Sequence, residues 1–360
     1  LYDRTVDGGR TTMLTEEIPG SAAVSIDGSV RHDLPRNAQQ IALIGDPRND
    51  ENLIVSQLHL AFLRFHNVVV ADVKADLGTG FTADEIFAEA QRIVRWHYQW
   101  LILHEFLPAT VGAQTVQDVR TEGRKFYKWR NDPFIPVEFS VAAYRFGHSQ
   151  VRPSYRANFG TSGSDPTQQF FALIFDPAAD DPADPADLRG GARAPRRFID
   201  WQTFFDFSDG RVRRNKRIDT ALSSVLFNLM GQPPGTPASL ASRNLLRALT
   251  MGVPSGQRVA KAMQLPEIVP GELQDLEALQ LHHRTPLWFY ILREADVLAN
   301  GEHLGPVGGR IVAEVFLGLL QGDSQSYLRQ DPEWTPTYGN NDTFTFVDLL
   351  NTAGVVAAIP

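Results

Sequence analysis

The sequence runs to 360 residues, 43% of them apolar, enough to bury a large core in one large domain or two modest ones. Its 34 basic side chains against 42 acidic ones leave a net charge of −8, which disfavours a polynucleotide backbone as partner. There is no cysteine, so disulfides, thiolate haem ligation, cysteine-ligated iron–sulfur clusters and a cysteine nucleophile are excluded.

Residues 1–47, rich in Gly, Pro, Asp and Asn, predict an irregular segment wrapped on a core. The opening "LYDRTVDGGR" reads as mid-protein loop, with no basic-then-apolar leader, and points to a processed or incomplete polypeptide. From Asn52 to about Lys74, apolar residues at three- and four-residue intervals (Leu58, Phe62, Phe65, Val69, Val73) predict a buried helix. A second follows, capped by Thr82 and ending before Pro108. "PFIPVEFSVAAYRFGHSQVRPSY" predicts a third, opening after Pro136 and closing before Pro153. The Pro/Asp/Ala stretch 175–191 reads as a surface loop, and the basic run 211–217 as a solvated helix entrance. Further helices are expected at 217–230, 237–250, 271–281, 287–299 and 306–321. Convincing strands are few, so the class is mainly α. No apolar run approaches the roughly 18–20 residues of a membrane span.

Most candidate motifs fail on spacing. His59 and His66, like His97 and His104, stand seven residues apart on a helix, about 10 Å along its axis. Two members so far apart do not share an ion at about 2 Å from each, so structural histidines are the simpler reading. "GTSGS" at 160–164 lacks the spacing of a nucleophile elbow, and no Walker loop, H-E-x-x-H or dinucleotide fingerprint occurs. His148 lies in the apolar run "AAYRFGHSQV": the bland reading is a satisfied core residue. Gly147, however, leaves room for a flat cofactor, and one imidazole holds haem iron from one side. In "GDPRNDEN", Arg48 and Glu51 stand at the entrance of the first long helix, either as a solvated ion pair or as a guanidinium placed for charge developing on a reacting oxygen.

Taken in order, "GDPRNDEN" with "LHLAFLRFHN", then "YRFGHS", "LASRNLLR" and "VGGRIVAE", the chain resembles the animal-type haem peroxidase superfamily, in the bacterial branch related to myeloperoxidase and lactoperoxidase. The resemblance implies a single, mainly α catalytic domain over 1–360, a haem peroxidase-like helical fold with few short strands that lacks its N-terminal distal part. It implies haem b as cofactor. His148 resembles the axial ligand of its iron and Asn244 the residue bonded to the ligand's other nitrogen. Arg48 resembles the distal catalytic arginine, Glu51 the carboxylate that forms an ester to the haem periphery, and Arg247 a basic partner of a haem propionate.

The sequence also departs from its relatives. Nothing matches the distal helix that carries the proton-accepting histidine, and the expected calcium ligands fall largely upstream. A second polypeptide carrying the distal histidine is one solution; loss of that half is another. "ALTMGVPSG" replaces the Asp-His-Gly run expected after Arg247. Arg145 stands where the cyclooxygenase branch has its radical-forming tyrosine, with Tyr144 one residue earlier. The implied activity is reduction of hydrogen peroxide with oxidation of a small donor, a phenol or halide. The competing readings are a haem-dependent fatty-acid dioxygenase and a non-catalytic haem-binding scaffold.

Overall fold

A computed structural model describes residues 1–6, 9–160, 168–170, 194–229 and 234–359. The expected loop at 175–191 and most of "GTSGS" lie outside the described residues. Helices dominate, and the strands are two short antiparallel pairs, as expected for a mainly α chain. Two compact units can be distinguished: Leu1–Tyr98 with Ser154–Arg214 and Thr335–Pro360, and Gln99–Pro153 with Asn215–Trp334.

In the first unit, β1 (Glu16–Glu17) pairs with β2 (His32–Asp33), and β3 (Ser154–Arg156) with β4 (Gln168–Phe170). Helix α1 (Leu53–Leu77) starts where the Asn52 side chain accepts from Val55 N, and ends at Gly78, whose φ of 70° suits glycine. Its stripe Leu53, Leu60, Phe65, Val69 and Val73 is buried, each large side chain contributing about 1.5–3 kcal/mol. By length and composition α1 could cross a membrane, contrary to the reading of the sequence. Half of its most apolar window is buried within the protein, as in the core helix of a globular fold. Helix α2 (Ala83–Leu101) opens with a reciprocal cap between Thr82 and Glu85.

His66 and His97 are core residues. The His66 Nε2–H donates to Thr11 O at 2.9 Å. His97 accepts from Thr337 N at Nε2 and donates from Nδ1 to Ile93 O. Its ring packs with Phe65, Tyr338 and Phe344, and burial holds its pKa down to about 4.

In the second unit, the end of α2 runs through a π-helical turn (Ile102–Phe106) into α3 (Leu107–Val111). Pro108, expected to stop the helix, sits in the first turn of α3, where a missing N–H is tolerated. Helix α4 (Ala113–Glu122) was not anticipated from periodicity. Six more α-helices follow among the described residues, three of them near the predicted bounds: α5 (Gly147–Gln150), α6 (Leu240–Thr250), α7 (Gly256–Ala262), α8 (Leu287–Ala299), α9 (Pro306–Gly322) and α10 (Tyr327–Gln330). Buried Glu294 of α8 accepts from the free N–H groups of Val307 and Gly308 at the start of α9. Burial pushes its carboxyl up to about 7 against those bonds.

The helix expected at 217–230 is absent. Among the described residues only a 3-10 turn, Ser224–Phe227, forms there. The upstream backbone is engaged elsewhere: Ser149 Oγ donates to Asp219 O and accepts from Asp219 N, while Ile218 N donates to Gly301 O. The basic run 211–217 therefore has no regular secondary structure and is not a helix entrance. The segment expected to be helical at 271–281 is a 3-10 helix, Pro270–Leu279, interrupted at Leu273.

Candidate active site

The stretch that carries His148 is three helical forms in series instead of one α-helix. A π turn (Glu138–Ala142) passes into a 3-10 turn (Ala143–Phe146) and then α5, with the change at Ala142 (φ −127°, ψ −70°). Tertiary bonds fix this irregular path: Trp288 Nε1 on α8 donates to Arg145 O, and Ser149 is tied to the 217–219 backbone.

Helix α6, capped by Ser239, delivers the partner. Asn244 is fully buried, its Nδ2 donating to His148 Nδ1 at 2.8 Å while its Oδ1 accepts from Arg145 Nη1 at 2.8 Å. Arg145 also donates from Nε to Ser140 O. Burial, and secondarily the charge of Arg145, hold the imidazole's pKa down to about 4, so it is neutral at physiological pH. Arg247, on the next turn of α6, is exposed and close enough to Arg145 to add to the effect of burial in lowering that guanidinium's pKa. Neither arginine has a carboxylate partner among the described residues.

Arg48 and Glu51 belong to the first unit. Asp46 caps the 3-10 turn Pro47–Asp50 by accepting from Arg48 N. The Arg48 side chain is 78% exposed and pairs with Asp46 at 2.6 Å, rather than with Glu51 as in the simpler of the two readings of the sequence. Glu51, also exposed, is the residue that follows the turn. Thus the structure joins His148 and Asn244, with Arg247 nearby, and places Arg48 and Glu51 together on a separate turn.

A family model described as animal haem peroxidase matches residues 4–345. The chain belongs to the animal haem peroxidase family. Among its relatives, chorion peroxidase of Drosophila melanogaster is 27% identical over 79% of this chain and 34% of its own length. Human thyroid peroxidase is 34% identical over 32% of this chain and 12% of its own. A "peroxidase-like protein" of Margaritifera margaritifera is 37% identical over 30% of this chain and 14% of its own. The chain thus spans about a third or less of the length of these curated relatives. Peroxidase A from Dictyostelium discoideum, at 20% identity, shares the fold over 91% of this chain and 62% of that one, with a TM-score of 0.58.

The haem expected of this family fits the residues of the second unit. The His148 ring is neutral, its Nε2 has no hydrogen-bond partner among the described residues, and a Cβ added at Gly147 would meet nothing within 4 Å. Two guanidinium groups without carboxylate partners suit the acidic propionates of a haem. In the hydrogen-bond pattern described, Nδ1 accepts and the ring proton lies on Nε2. Iron at Nε2 needs that proton on Nδ1, with the Asn244 amide turned end for end to accept it; the turned Nδ2 would then face the Arg145 Nη1 donor, so ligation exchanges the Arg145–Asn244 bond for a lone pair at Nε2. Among the described residues no group of three or more His, Asp and Glu side chains could hold a metal ion.

Arg145 is the site residue that sequence reasoning missed. It was noticed only for the tyrosine it replaces, although an arginine inside the apolar run "VAAYRFG" already called for a buried partner.

Proposed function

We propose that this chain supplies the axial-ligand side and the arginine-bearing turn of a haem peroxidase that reduces hydrogen peroxide and oxidises a small donor such as a phenol or halide. The observation that carries the reading is the neutral His148 ring, held at Nδ1 by buried Asn244 and without a partner at Nε2. Family membership supports it.

His148 would hold the haem iron, Asn244 would orient the ring and tune its basicity, and Arg145 and Arg247 would face the propionates. Haem b, when bound, supplies the iron at which peroxide oxygens are cleaved and the donor is oxidised. Arg48 carries a permanent positive charge, and its part is to stabilise the negative charge that develops on a peroxide oxygen. Glu51, beside it in the sequence, is the carboxylate for an ester to the haem periphery. The proton acceptor for peroxide is, in this reading, a histidine outside these 360 residues.

The visible spectrum of the haem-loaded chain tests the assignment. A histidine-ligated ferric spectrum that disappears in His148→Ala supports it; the same spectrum in both proteins sinks it.

A further inference from the structure

We infer that Arg36 is a positioning residue for the turn that carries Arg48 and Glu51, a role that rests on the reading of that turn proposed above. Its guanidinium is 2% exposed and grips Asp50, within the turn, through two parallel bonds: Nη1 to Oδ2 at 2.8 Å and Nη2 to Oδ1 at 2.7 Å. The rest of Arg36 is anchored in the small sheet and its loop. Nε donates to Asp33 of β2 at 2.6 Å, Nη1 to Gln40 O at 2.8 Å, and the backbone N to Glu16 of β1 at 3.0 Å.

A forked guanidinium bonded at both prongs fixes direction as well as distance, which a single ammonium does not. Asp50 lies two residues after Arg48 and immediately before Glu51, so the clamp sits between the two candidate functional side chains. A second tie, from Asn49 Nδ2 to His59 Nδ1 at 3.3 Å, joins the same turn to α1. The exposed side chain of Arg48 therefore rises from a backbone whose orientation is set from beneath. Arg36 acts on the reaction only through that backbone.

Trypsin reads the turn directly, because cleavage after Arg48 needs the local chain to open. With the folded chain, cleavage at Arg48–Asn49 is expected to be at least about tenfold faster in Asp50→Asn than in the unaltered protein. Arg36→Lys, which keeps the charge and loses the fork, should be intermediate. Glu314→Gln removes a buried pair, with Arg310, that involves neither Arg36 nor the turn, and should leave cleavage slow. Equal rates in the unaltered protein and Asp50→Asn, or equal acceleration in Glu314→Gln, would overturn the inference.

Fluoride binding to the haem-loaded chain provides a readout that loosening elsewhere does not move. Asp50→Asn should weaken it as much as Arg48→Ala does, whereas Glu314→Gln should leave it unchanged. If Arg48→Ala weakens fluoride binding and Asp50→Asn does not, positioning by Arg36 is wrong. If Arg48→Ala has no effect, the assignment of Arg48 fails, and the cleavage rates alone decide whether Arg36 holds the turn.

Discussion

His148 and Arg48 are held in opposite ways. The histidine is half-buried, and the groups that contact it are themselves fixed: Asn244 by Arg145, and Arg145 by Ser140 O, with its own carbonyl on Trp288. The arginine stands in water, paired only with a neighbour two residues away, and its order comes from the buried clamp under its backbone. A buried polar network is costly to disturb because every group removed strands another, whereas an exposed side chain can change without consequence for folding. Substitutions on the two sides should therefore separate stability from chemistry.

The largest effect is expected from His148→Ala, which removes the proposed iron ligand and should abolish haem retention; haem content after gel filtration measures this. Arg48→Ala should slow the reaction with peroxide by about a hundredfold while moving the unfolding free energy by less than about 0.5 kcal/mol. Stopped-flow absorbance and urea titration check the two halves of that statement, and a large loss of stability would erase the contrast drawn above. Asn244→Ala should do both kinds of damage. It strands the Arg145 guanidinium and His148 Nδ1, costing about 1–3 kcal/mol, and should weaken haem affinity about 10- to 100-fold. Retained stability in this variant would mean the network is looser than its distances imply.

The smallest effects are those of pH. Burial holds His97, His104 and His148 down to about 4 from 6.5, helped by Arg120 beside His104 and Arg145 beside His148. Their contribution is present above pH 6.5 and is lost as pH falls from there through 4, because the unfolded chain takes up protons first. Glu294 has the opposite sign. Pushed up to about 7 from 4.5, its contribution is present below 4.5 and is lost as pH rises through 7. Urea midpoints between pH 4 and 8 should show His97→Gln flattening the acid side and Glu294→Gln the neutral side; unchanged profiles would mean these groups titrate alike in both states.

Where structure follows from local pattern, the sequence was legible. Helices α8 and α9 begin and end near the predicted positions because apolar periodicity, Pro306 and Asn300 mark them. The helix expected over 217–230 failed because its polar backbone is satisfied by Ser149 and Gly301, partners from distant parts of the chain. Pro108 misled in a similar way, being tolerated at the head of α3. In the candidate site, the pairing of His148 with Asn244 was anticipated through family resemblance. Arg145 was not, because its bond to Asn244 joins positions 99 residues apart that no spacing rule connects. Arg36 escaped notice for the same reason, the carboxylate it grips in the turn lying 14 residues away across a loop.

The π turn at Glu138–Ala142 acts as a clocking device. A π turn holds one residue more than the α turn it replaces, and each residue of an α-helix advances the side-chain direction by about 100°. Shortening this turn by a single residue would rotate the following helical path by about that angle and carry His148 off the bearing on which Asn244 waits. The angular setting of the ring is thus written in the count of residues between Pro136 and Gly147, and a one-residue deletion there should silence the site as fully as removing the histidine.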